Sequence, residues 1–137
     1  LSGPSAGTLS PVVRRRLQST AASLHEEAKE LGPALSLYQA VLKDSADVVS
    51  ARAGAARVLE AQGKLAEARA LWDEILTAPP GKPGFLESHY QSARLSIALG
   101  DQARACTVLR QVPAEMLTTA NAETPKKISE LLRTCPS

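Results

Sequence analysis

Two histidines, two cysteines and a run of three arginines hold most of the chemistry this sequence could perform. His25, His89, Cys106 and Cys135 are the only imidazoles and thiols among 137 residues. A zinc site needs about four clustered ligands, and these four are widely separated along the chain. Nucleophilic catalysis needs a base within reach of a hydroxyl or thiol and a third group to orient the base, and no such set is marked. His25 is expected on the packing side of its helix as a structural imidazole, and His89 exposed near a helix start. No Gly-rich segment joins a strand to a helix, so the phosphate-cradling loops are missing from the pattern. The expectation is a non-enzyme with no cofactor and no metal. Arg14, Arg15 and Arg16 form the one basic run. Three successive charges at a helix start point in three directions, and a net charge of +2 with interleaved acids falls short of the one-sided basic surface that nucleic acids select. No nucleic-acid partner is expected.

The elements that must position these residues are helical. Apolar residues make up 44% and aromatics only 3% of the chain, a balance that disfavours sandwiches and barrels. No apolar run approaches the roughly 18 residues of a membrane span, so membrane insertion is not expected. The opening has neither an initiator Met nor a signal peptide and reads as part of a longer or processed protein. Residues 1–10 lack periodicity and should form a flexible arm, leaving 11–137 as a single helical domain. Pro and Gly divide that domain into seven helices. The first is expected from Pro11, capped by Ser10, to about Leu31, where Gly32 and Pro33 stop it and start the second, to about Asp44. Then follow Asp47–Gln62, Lys64–Thr77, Phe85–Leu99, Asp101–Val112 and a last helix capped by Thr124 and Pro125 that ends near Thr134. Pro79, Pro80, Gly81, Pro83 and Gly84 make a stiff loop.

An offset of 34 residues places Ala22, Ala34, Tyr38 and Val41 onto Ala56, Ala68, Trp72 and Ile75, and a further offset of 37 carries these onto Ala93, Ala105, Leu109 and Val112. That is the period of a helix-turn-helix repeat. Within the middle copy, Leu65, Ala68, Leu71, Trp72, Ile75 and Leu76 form one stripe at spacings of three and four, so one face is buried. With Ala56, Gly63, Ala68, Trp72 and Pro80 in place, this unit resembles the tetratricopeptide repeat family across about residues 15–113. The outer units are looser: the turn Gly is replaced by Lys29 in the first, and Pro113 comes early in the third. The resemblance implies an all-α, right-handed array of three antiparallel helical hairpins plus a C-terminal capping helix, with Ile128, Leu131 and Leu132 turned inward and Trp72 buried.

It also implies a function. First helices of such arrays line a concave groove that receives a peptide or a helix of a partner. Carried over residue by residue, the groove positions are Ser23, Glu26 and Glu27, then Ala53, Arg57 and Glu60, then Tyr90, Arg94 and Ile97. Arg57 and Arg94 hold the same place in successive units, and two guanidinium forks suit an acidic partner segment. The plainer reading is that both are ordinary solvated helix residues paired with Glu60 or Glu87. The expected function is a non-catalytic protein-interaction module. The alternative is a structural self-association domain, in which Val12, Val13 and Leu17 at the uncovered end of the first helix pack on a second copy or on more of a longer array.

Cys106 aligns with Leu35 and Arg69, on the face of the second helix directed at the next unit, here the capping helix. An antiparallel capping helix would bring Cys135 within reach of it. The sequence is compatible with a bonded pair and with two unrelated free thiols. The first places the protein in an exported, for example periplasmic, setting and the second in the cytoplasm.

Overall fold

The computed structural model describes residues 10–44, 49–76, 84–118 and 122–136. Among these residues every regular element is helical: α1 (Pro11–Glu27), α2 (Leu31–Asp44), α3 (Val49–Ala61), α4 (Leu65–Ile75), α5 (Phe85–Ala98), α6 (Gln102–Leu109), a 3-10 turn at Ala114–Leu117, and α7 (Glu123–Leu132). The expected arm before Ser10, the start of the third helix at Asp47 and the loop from Pro79 to Pro83 lie outside the described residues. Packing divides the chain into two compact units, the first ending at Gln62 and the second beginning at Gly63.

The ends of the helices follow from local chemistry. Ser10 Oγ accepts the Val13 N–H at 3.2 Å and Pro11 occupies the first turn, where its missing N–H costs nothing. Helix α1 then stops at Glu27, short of the expected Leu31, because the chain reverses at Lys29 rather than at Gly32. Lys29 has φ 64°, and its N–H and that of Glu30 bond back to the Glu26 and His25 carbonyls at 3.0 and 2.8 Å. Gly100 repeats this turn, with φ 84° and the same two bonds from Gly100 and Asp101 to Ile97 and Ser96. Both close a helix in a Schellman motif. Gly63 has φ 83° as well, so left-handed residues recur at spacings of 34 and 37. Gly32 and Pro33, expected to break the chain, lie instead inside the first turn of α2, where proline is tolerated because the N–H it lacks would have no helical partner.

The repeated positions are buried in all three copies: Ala22, Ala56 and Ala93; Ala34, Ala68 and Ala105; Tyr38, Trp72 and Leu109; Val41, Ile75 and Val112. In the first unit α2 packs on both α1 and α3. Gly54 lies in mid-helix and is required there: a Cβ at this position would lie under 3.0 Å from three atoms of the buried Tyr38 ring. In the second unit α5 packs on α4, α6 and α7. A serine row on α5 faces α4, with Ser92 Oγ donating to Asp73 Oδ1 at 2.5 Å and Arg69 Nη1 donating to Ser96 Oγ at 3.3 Å. Elsewhere on α5, Phe85 and Ala93 join Ala105, Leu109 and Val112 in an apolar cluster closed by Ile128 of α7, with Leu131 and Leu132 packed against it.

Candidate functional site

The polar side chains that the first unit brings together come from three helices. Glu26 lies near the end of α1, Tyr38 in the middle of α2 and Arg57 on α3. Arg57 grips Glu26 with a two-pronged fork, Nε to Oε2 at 2.9 Å and Nη2 to Oε1 at 3.2 Å. Tyr38 donates its hydroxyl to Glu26 Oε1 at 2.9 Å, and Ser23 Oγ, 3.3 Å from that hydroxyl, can donate to it in turn. Glu26 thus accepts three hydrogen bonds.

The charges respond accordingly. The Arg57 fork, seconded by the Tyr38 hydroxyl, holds the Glu26 carboxyl below its ordinary value of 4.5 against the opposing effect of burial. Burial, and then the neighbouring carboxylate, push the Tyr38 phenol above 10.0, and the bond to Glu26 raises Arg57 further still. At neutral pH the cluster is a carboxylate, a phenol and a guanidinium. Arg57 leaves 51% of its side chain exposed, so the fork is open to solvent on one side.

The groove positions read from the sequence fall as follows. Ser23 and Arg57 share the Glu26 and Tyr38 network. Glu60 lies one turn beyond Arg57 on α3, half-buried and partnered. In the second unit, Arg94 donates through Nε to Gln91 Oε1 at 2.8 Å, one turn back on α5. Tyr90 packs against the apolar cluster under α7, with Lys127 Nζ 5.4 Å from its ring centre. The sequence pattern missed Tyr38 as a site residue, since its burial hid the hydroxyl that orders Glu26.

Two histidine readings require correction. His89, expected exposed, is buried; its Nδ1 lies 2.7 Å from the Phe85 carbonyl and its ring 4.3 Å from the Phe85 ring. Its place one turn after Phe85 puts it on the same buried face of α5. His25, expected on a packing face, is half-exposed and bonds Glu30 through Nδ1 at 2.7 Å, across the turn at Lys29. Neither ring has a described hydroxyl or thiol partner.

At the far end of the second unit, Cys106 and Cys135 are joined in a disulfide, with Cα atoms 5.7 Å apart. Two hydrogen bonds flank it. Gln102 Nε2 donates to Thr134 Oγ1 at 3.2 Å, and Arg110 donates to the Pro136 carbonyl. Residues 102 and 106 of α6 and the C-cap residue 110 lie one turn apart on one side, and each holds one of three consecutive residues at the end of the described chain.

No protein-family model matches this chain, and no curated protein does. The repeat resemblance therefore rests on the spacing of its own residues. Among the described residues no three His, Cys, Asp or Glu side chains form a group able to hold a metal, and no helix is long and apolar enough to cross a membrane.

Proposed function

We propose that the chain is a tetratricopeptide-like succession of three helical hairpins with α7 as a cap, and that it works as a non-catalytic module that binds a peptide or helix of a partner protein. The recurrence of the left-handed turn at Lys29, Gly63 and Gly100, together with burial of the same four positions in each copy, supports the repeat. The observation that carries the function is the meeting of Ser23, Glu26 and Arg57, three positions that the resemblance gives to a groove, on one partly exposed surface of the first unit. The same repeat logic gives Tyr90 and Arg94 this role on α5. An acidic partner residue would compete with Glu26 for the Arg57 fork while Tyr38 keeps Glu26 in place. Binding of a randomised acidic peptide pool to the whole chain tests this. Arg57→Ala should weaken it and Glu26→Gln, which frees the fork, should strengthen it. Affinities indifferent to both changes reject the groove.

A second reading, self-association, is favoured by Val13, Leu17 and Leu24, which line one face of α1 and remain 41%, 56% and 62% exposed. Concentration-dependent sedimentation abolished by Leu17→Glu would establish it. The disulfide supports function in an oxidising, exported setting, and thiol titration of protein drawn from its native compartment checks that.

A further inference from the structure

The first unit contains a cleft that the repeat pattern and the Glu26 network touch only at Ser23. Arg15, Arg16, Ser19, Thr20 and Ser23, successive turns of one side of α1, line an open depression of about 380 Å³ whose opposite wall is Ser50, in the first turn of α3. Three successive arginines on a helix are expected to point in three directions, yet two of them converge on this cleft. Among the described residues its lining is two guanidinium groups and four hydroxyls, with no carboxylate. Among the described residues Arg15 and Arg16 take part in no ion pair, in contrast to Arg57, whose fork is filled by Glu26.

We propose that this cleft receives the phosphoryl group of a phosphorylated serine or threonine in an extended segment of a partner protein, an inference that rests on the peptide-binding reading above. Donor count selects the anion. A carboxylate has two oxygens and is satisfied by one arginine fork, whereas a phosphoryl group offers three acceptor oxygens and a charge near −2, matching two adjacent forks and the hydroxyls beside them. Size selects the carrier. From Arg15 to Ser23 the cleft runs about 12 Å along α1 at the helical rise per residue, far more than a bare ion fills. The arginine end takes the phosphoryl group, and Ser19, Ser23 and Ser50 are left to bond the backbone of the segment that carries it. A nucleic acid is disfavoured because, among the described residues, no aromatic side chain lines the cleft to stack a base.

The test measures binding of the whole chain to a peptide pool with a fixed central phosphoserine among randomised neighbours. The same pool without phosphate, inorganic phosphate and a single-stranded oligonucleotide serve as comparisons. The phosphorylated pool should bind at least tenfold more tightly than its unmodified counterpart, and added salt should erode that advantage. Arg15→Ala/Arg16→Ala should abolish it without moving the thermal melt, while Arg57→Ala should leave it in place. Equal binding of the two pools overturns the proposal, as does an advantage that survives the double substitution. So does displacement by inorganic phosphate at the concentration of the phosphorylated pool, or preferential binding of the oligonucleotide. If both pools bind equally in the wild type and the double variant, the groove reading stands and the phosphoryl site falls; if neither pool binds, both fall.

Discussion

In the first unit Tyr38 lies across the bare backbone of Gly54 and its hydroxyl ends on a carboxylate; at the equivalent place in the second unit stands Trp72, and the neighbouring polar bonds run from α4 to serines of α5. The hydrophobic residues buried in the first unit are mostly alanines, with Tyr38, Val41, Val58 and Leu59. The second buries a cluster of Phe85, Leu109, Val112 and Ile128 and is closed by a disulfide. One repeat pattern is therefore stabilised in two ways. Small residues let helices approach closely but bury little apolar area each, so the first unit depends on directional bonds at its surface. The second has apolar bulk and a covalent tie that joins Cys135, just past α7, to α6. The difference places the polar, solvent-accessible chemistry in the first unit.

The largest way to break this comparison is to remove the covalent tie. Cys106 and Cys135 are 29 residues apart in sequence, and a loop of that length stabilises by about 3 to 4 kcal/mol in the chain-entropy model. Cys135→Ser should lower stability by about that amount in urea titrations followed by Trp72 fluorescence, and hydrogen exchange should show the loss concentrated in α6 and α7. Protection factors in α1 to α3 that fall equally would mean the two units are not independently stabilised.

Gly54→Ala tests the other side. Helix propensity alone favours alanine over a mid-helix glycine by about 1 kcal/mol. The added methyl, however, would collide with the Tyr38 ring, and overpacking typically costs about 1 to 3 kcal/mol. A net loss of roughly 1 to 2 kcal/mol is expected in thermal or chemical melts, with loss of the Tyr38 to Glu26 bond. A stabilised variant would show that the ring does not rest on this backbone.

A smaller effect comes from pH. Because the Glu26 carboxyl is held below 4.5 in the fold, its contribution is complete above 4.5 and is lost as pH falls through the lowered value. Tyr38, raised above 10.0, behaves oppositely: its contribution is complete below 10.0 and is lost as pH climbs past it. With Arg57 half-exposed, the acid arm is worth under about 1 kcal/mol. Glu26→Gln should flatten the acid limb of the stability curve below pH 4.5 and leave the disulfide contribution unchanged.

What could be read from the sequence follows which residues carry their reasons locally. Helix ends at Gly63 and Gly100 were legible because a left-handed residue prefers glycine, and the inward face of α7 was legible from Ile128, Leu131 and Leu132. The reason for Gly54 lies on Tyr38, 16 residues earlier, and periodicity within one helix does not contain it. The same holds at the site. Arg57 was singled out, but its partner Glu26 is 31 residues away on another helix. The convergence of Arg15 and Arg16 needs Ser50 as a second wall before it becomes a cleft. His89 was misplaced because nearness to a helix start said nothing of Phe85 one turn earlier.

Lys29 sharpens the comparison most finely, since it is where the first unit departs from the turn the second makes with Gly100. Both positions form the same pair of backbone bonds, so the hairpin geometry demands a left-handed residue whichever side chain is present. A side chain with a Cβ pays about 1 to 2 kcal/mol in that conformation. Glycine avoids this cost but gives back part of the gain through the larger entropy of its unfolded chain. Lys29→Gly is therefore expected to stabilise by a few tenths to about 1 kcal/mol, and Gly100→Ala to destabilise by a similar amount. The lysine charge is not needed for the turn, so Lys29→Ala should be nearly neutral. If Lys29→Gly instead destabilises the protein, the Lys29 side chain contributes to the turn beyond its backbone conformation, and the two turns are alike in backbone but held by different forces.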